Sequence, residues 1–220
     1  TCHVTVFLNK SETKERELNC MNERRTEILI AAIGLIADEG YASLSMRALA
    51  RVVGMKLGSL QYHFRSSDEL LKAIVGFVSD SYDESFAELR QNAKQNSKQE
   101  RKQNMAHPSL EEIITFVMDD KAGANIVSDK LWPQLWAMQQ VEPLVSDLVE
   151  NIYSTYLKVL EQALRSVGAS APRAEALLLM SMLEGSTIFL GEGRRWQKDG
   201  KAVRRSVLEY IKHRYGETTS

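Results

Sequence analysis

The chain has 220 residues, with 28 Lys plus Arg against 29 Asp plus Glu and a net charge of −1. It is long enough for a small head with a larger body, and it is not a generally basic protein. It contains no run of eighteen apolar residues, so no segment reads as a transmembrane helix. Two cysteines, Cys2 and Cys20, cannot build a disulfide framework and fit a reducing cytoplasm, while His3, His63, His107 and His213 lack metal-ligand spacing. Neither a metal nor a cofactor is expected.

The chain opens on Thr1, and Met21-Asn22-Glu23 looks like an ordinary start, so residues 1–20 read as a disordered extension. The alternative is a basic arm for the minor groove of DNA, but Glu12, Glu15 and Glu17 balance Lys10, Lys14 and Arg16. An apolar first helix follows and ends at Glu39-Gly40-Tyr41. Residues 41 to 67 then carry Arg47, Arg51, Lys56 and Arg65 and no Asp or Glu. In a nearly neutral protein such a local surplus marks a face, and DNA phosphate is its natural partner.

Within that segment Ser45 can cap a short helix carrying Met46, Leu49, Ala50 and Val53. Gly54 supplies a tight turn, and a second short helix runs from about Leu57 to Phe64. At 100° per residue, Leu57, Leu60 and Phe64 share the inward face, while Gly58, Ser59 and Tyr62 point outward with Gln61 and His63 on the flanks. Hydroxyls, an amide, an imidazole and an aromatic ring, with no carboxylate to repel phosphate, suit a DNA groove. The expected DNA contacts are Arg47, Lys56, Gly58, Ser59, Gln61, Tyr62, His63 and Arg65.

From Thr26 to Val75 the chain resembles the DNA-binding head of the tetracycline-repressor (TetR) family. The resemblance rests on the first helix, SMRALARVVGM, GSLQYHF and SSDELL taken together. It implies that Ser59, Tyr62 and His63 touch DNA and that the body binds an inducer. Three positions depart from the family pattern. Lys56 stands where Ser or Thr is usual, which removes a helix cap worth about 1 kcal/mol and offers a phosphate contact instead. Gln61 replaces a common Tyr and could bond an adenine edge or a phosphate. Ser67 replaces a Lys that often opens the fourth helix, although Ser66 and Glu69 still form a capping box.

Beyond the head every periodic segment reads as helix. Leu70, Ile74, Phe77, Val78, Tyr82, Phe86 and Leu89 follow helical spacing on a long fourth helix, which runs into the polar stretch RQNAKQNSKQERKQN. After Pro108, Leu110, Ile113, Ile114 and Val117 open a fifth helix, and Gly123 ends the connection after it. A sixth helix holds Leu131, Trp132, Leu135, Trp136 and Met138, with Pro133 expected to kink it. A seventh ends at Gly168, and Pro172 starts an eighth containing ALLLMSML, residues 176 to 183. Being apolar nearly all round, that helix must be covered on both faces, by the core and by a second subunit.

The expected dimer interface is Leu179, Met182 and Leu183 with Val207 and Ile211 of the last helix. Met118, Met138, Met180 and Met182 near Trp132 and Trp136 are able to make a plastic apolar cavity, or simply to fill core. Glu184 could face a cationic ligand, or mark a solvated edge or a bonded turn. The expected ligand contacts are Trp132, Trp136, Met138, Met180 and Glu184.

The fold expected is all-α: a three-helix helix-turn-helix head over residues 21–81, including the start of the fourth helix, joined to a larger effector-binding and dimerisation body over 82–220. The function expected is a homodimeric, cytoplasmic, operator-binding transcriptional regulator, a repressor released by a small, mostly hydrophobic effector, with no catalytic residues. A helical protein-protein adaptor and an all-α enzyme are the alternatives.

Overall fold

A computed structural model describes residues 10–99, 107–118 and 130–216, with side chains from residue 21 to 95 and over the two later stretches. Every regular element among them is helical: α1 (Lys10–Glu39), α2 (Met46–Val52), α3 (Leu57–His63), α4 (Ser67–Gln99), α5 (Leu110–Met118), α6 (Leu131–Met138), α7 (Pro143–Ser166), α8 (Pro172–Leu190) and α9 (Gly200–Tyr215). This is the all-α head and body that the periodicity implies. Gly123 lies outside the described residues, as do residues 1–9.

Local chemistry sets the ends of these helices. Ser45 Oγ accepts from Ala48 N at 3.2 Å and starts α2. Gly54, at φ +64°, makes the turn after it. Ser66 Oγ accepts from Glu69 N at 3.1 Å to start α4, while the Glu69 carboxylate reaches back to Arg65 N at 3.0 Å, one residue earlier than in a standard capping box. Gly168, at φ +74°, closes α7, and Pro172 opens α8.

Two expectations change. Residues 10–20 are helical and continuous with α1, because Lys, Glu, Arg and Leu are good helix formers and the stretch has no Gly or Pro to stop the helix. Pro133 is the third residue of α6, inside its first turn, where no N–H has an intrahelical acceptor, so its missing N–H breaks no helical bond.

Ile28, Ala32 and Ile36 of α1 pack with Leu49, Leu60, Phe64, Leu70 and Ile74 to form the core of the head. Further along α4, Val78, Tyr82, Phe86 and Leu89 are buried among the body helices, so one long helix carries core residues of both parts. α7 and α8 pair as the centre of the body, through Ile152, Leu160, Leu164, Ala176, Leu179 and Leu183. The end of α1 rests on α6 and the start of α7. There Tyr41 Oη donates to Glu142 at 2.7 Å, and Lys130 meets Asp38 at 3.2 Å and Glu192 at 3.7 Å. Gly40 between them has φ +87°, a conformation that favours glycine.

The expected dimer residues do not form an outward face. Leu179, Leu183, Val207 and Ile211 are at most 6% exposed within one protomer, so they belong to its core, and Met182 is half-buried against it. The apolar residues that α8 shows to solvent are Leu177, Leu178, Ile188 and Phe189. Together with Ser181 and Gly185 they lie within about 120° of one another around the helix, a separate face from that of Ala176, Leu179 and Leu183.

Candidate DNA-binding surface and ligand cavity

The helix-turn-helix is held from behind by two arginines of α1. Arg24 Nη2 donates to the Val53 carbonyl at 3.2 Å, at the turn, and Arg25 donates to the His63 carbonyl at the end of α3 while its guanidinium lies 4.3 Å from the centre of the Phe64 ring. Leu60 and Phe64 are fully buried beneath α3. The helix is thereby fixed at its base, at both ends, with its outward face left open.

On that face Lys56, Gly58, Ser59, Gln61, Tyr62 and Arg65 are exposed, with Arg47 exposed on α2. Tyr62 is 76% exposed, unusual for a ring of that size unless it has a partner to meet. Lys56 occupies the N-cap of α3 without a side-chain cap bond, so its ammonium is not tied to the helix it starts. His63 differs from the rest. It is half-buried, its ring edge-on to Tyr62 at 5.5 Å, and burial with the nearby Arg25 and Arg24 charges lowers its pKa. It is therefore neutral at pH 7 and offers hydrogen bonds but no charge. Arg24 and Arg25 were not anticipated; a pair of arginines before an apolar helix reads as a solvated start, and only the tertiary contact reveals what they hold.

In the body, α4, α5, α6, α7, α8 and the start of α9 enclose a cavity of about 420 Å³. That volume is within the range of small-molecule sites. Its aromatic wall comes from Tyr82 and Phe86 of α4, Trp132 of α6 and Tyr153 and Tyr156 of α7. The rings support one another: Trp132 stacks on Tyr153 at 5.5 Å and meets Tyr82 edge-on at 5.6 Å. Glu184 of α8 also faces the cavity, and Lys201 and Arg204 line its α9 side.

Glu184 is the chemical centre of this wall. Trp136 Nε1 donates to Tyr153 Oη at 2.8 Å, which donates to Glu184 Oε2 at 3.1 Å. Burial pushes the Glu184 carboxyl up to about 7, against the Tyr153 bond, which favours the charged form. Tyr153 and Tyr156 are raised as well, by burial first and by the Glu184 charge second. The structure thus brings Trp132 and Glu184 of the expected ligand contacts together. Trp136 acts behind the wall through Tyr153, Met138 is buried in core, and Met180 packs against core outside the cavity. Met118 does line it.

A family model described as "Bacterial regulatory proteins, tetR family" matches residues 28–74, the segment that forms α1 to α4 of the head. Over that segment the chain matches the TetR family. It is a DNA-binding transcriptional regulator with the helical head and body of that family. The HTH-type transcriptional regulator BetI of Pseudomonas aeruginosa (strain LESB58) is 24% identical over 163 residues, 74% of this chain and 78% of that protein. The HTH-type transcriptional repressor KstR2 of Rhodococcus jostii is 37% identical over 60 residues, 27% of this chain and 29% of that one. A transcriptional regulator of Saccharomonospora viridis, solved in complex with choline, has the same fold at TM-score 0.64 and 21% identity, over 87% of this chain and 97% of that one. Among the described residues no helix is long and apolar enough to cross a membrane.

Proposed function

We propose that this TetR-family regulator is a homodimeric repressor that leaves its operator when an organic cation fills the body cavity. The division falls on α4, with residues 21–81 as the DNA-binding head and 82–220 as the effector and dimerisation body, acting in the cytoplasm where the operator is. Glu184 carries the reading. A carboxylate held in an aromatic wall, with one tyrosine bond and a pKa near 7, is a costly group to keep unless a cation neutralises it. Aromatic faces add to the attraction. That a regulator of the same fold was solved with choline, a quaternary ammonium, supports the same class of ligand.

The expected effector thereby shifts from a mostly hydrophobic molecule to one with a positive centre. The test is operator release by ammonium compounds at several pH values, with choline as first probe. Only ionised Glu184 attracts the cation, so affinity should be constant above about pH 7 and fall below it, by up to tenfold per unit. The groups that interact with Glu184 are Tyr153 and Tyr156 of α7, while Tyr82 of α4 and the cations Lys201 and Arg204 of α9 line the same cavity; the tyrosines of α7 stay protonated throughout. An affinity that does not change between pH 5.5 and 8 would remove Glu184 from the site.

Release needs a mechanical route. Two recognition helices must sit about 34–36 Å apart to enter successive major grooves. Trp132 lies in the cavity wall on α6, which abuts the end of α1, while Tyr82 and Phe86 sit on α4, which continues into the head. A ligand that favours one setting of α4 and α6 changes head separation, and lowers DNA affinity by the difference in its own affinities for the two settings.

The DNA contacts proposed are Arg47, Lys56, Gly58, Ser59, Gln61, Tyr62, His63 and Arg65. Tyr62→Ala and Lys56→Ala should weaken operator binding while leaving the unfolding transition nearly unmoved, since both residues are exposed. Lys56→Ala should also flatten the salt dependence of log affinity by about 0.9 per lost phosphate contact in each subunit. Unchanged affinity in both variants would refute the assignment of this face.

A further inference from the structure

We propose that the effector is a zwitterion whose cationic end meets Glu184 inside the cavity and whose oxyanion end, a carboxylate or a phosphate, meets Lys201 and Arg204 on the α9 side. This deepens the preceding reading and rests on it.

The cavity is chemically two-ended. Glu184 stands among the rings of α4, α6 and α7, whereas Lys201 and Arg204 come from the first two turns of α9. A simple cation drawn to Glu184 would share the cavity with both positive side chains. A ligand that carries its own negative charge turns that repulsion into attraction, and fixes which end enters first.

The α9 end has further features that suit an oxyanion. Lys201 is exposed and makes no ion pair with any described residue, so its ammonium is available to a ligand. Asp199, at the N-cap of α9, gives no side-chain bond to the helix start, and the Gly200 N–H donates to Gln197 O of the preceding turn, so the oxyanion is held by the two side chains and only aided by the positive end of a sixteen-residue helix. The two cations also border a shallow outer groove, where Arg205 and Lys212 join them against Glu111 and Glu209. Positive potential therefore extends outward from the cavity on this side.

The inner end is polar beyond its carboxylate. Tyr156 is 4% exposed, lines the cavity, and its hydroxyl has no hydrogen-bond partner among the described residues. A buried hydroxyl left unpaired is unfavourable and uncommon. It is within electrostatic reach of Glu184. A primary ammonium at this end would donate to it; a quaternary ammonium would meet it through charge alone, and a hydrocarbon not at all.

Titration calorimetry on the full chain with matched probes tests the proposal. One pair is 4-(trimethylammonio)butanoate and butyltrimethylammonium; the other is 6-aminohexanoate and hexylamine. In each pair only the first carries a carboxylate, and phosphocholine beside choline supplies the phosphate comparison. At least one oxyanion-bearing member should bind tenfold or more tightly than its plain cation. Lys201→Gln should erase most of that advantage and leave the plain cation no weaker, and Lys201→Arg should restore it. If the plain cations bind as tightly as their zwitterions, or if Lys201→Gln weakens both alike, this inference fails while the cationic-effector reading stands. If no probe binds at all, both fail together.

Discussion

Glu184→Gln should abolish the response to organic cations and, in the same step, stabilise the empty protein by about 2 kcal/mol at pH 8. The sign follows from proton linkage. The folded carboxyl titrates near 7 and an ordinary one near 4.5, so the folded state holds its proton more tightly. Stability is therefore lost as pH rises from 4.5 through 7 and stays lost above that. A difference of this size corresponds to at most about 3 kcal/mol, reduced by whatever solvent reaches the cavity. Glutamine keeps the shape and still accepts from Tyr153, but has no charge to desolvate or to offer. Denaturant unfolding of both proteins at pH 5 and pH 8 should show a gap at the higher pH that shrinks greatly at the lower. Equal stability at pH 8, or a variant that still responds to cations, would show that this carboxylate is neither strained nor the ligand anchor.

The second large effect concerns assembly. Leu178→Asp combined with Phe189→Asp should give a folded monomer and weaken operator binding by about 10²–10⁴-fold. Both residues are more than half exposed on the protomer, so the new carboxylates stay in water until a second copy covers them. Association would then bury charge on an apolar face whose Ser181 and Gly185 otherwise let two backbones approach. Without its partner each head binds a half-site alone and loses the effective concentration that linkage provides, which sets the size of the drop. Sedimentation and operator titration measure the two consequences, and a retained unfolding transition shows that the protomer survives. A variant that still dimerises places the interface elsewhere.

These two predictions fall on parts of the protein that its sequence reveals to different degrees. The head is almost fully legible because its signals are local: Ser45, Gly54 and the inward set Leu60 and Phe64 are read within a few residues of one another, and each is found where the spacing puts it. The apolar face that α8 turns to solvent is out of phase with the expected one. A run such as ALLLMSML is apolar at every angle, so periodicity cannot tell Leu179, which enters the core, from Leu178, which leaves it. The cavity fails for a related reason. Tyr82, Phe86, Tyr153 and Tyr156 occupy core positions of their own helices, and only the packing of α4 against α7 leaves space between them. Glu184 could be singled out as an acid in an apolar helix, but its surroundings come from a relay through Trp136 and Tyr153 that no local pattern contains.

The seam between head and body bears on how such a sensor could be rewired. Asp38, Gly40 and Tyr41 meet Lys130, Gln134 and Glu142, and Lys130 also holds Glu192 beyond α8. A chimera cut at the turn after α1 would therefore set foreign residues against a contact surface shaped for this chain, and the graft would bind both DNA and ligand without either sensing the other. α2 and α3, by contrast, are fastened to α1 through Arg24 and Arg25, which grip main-chain carbonyls that any side-chain sequence supplies. The exchangeable cassette for a new operator is residues 46 to 65, with the seam kept native.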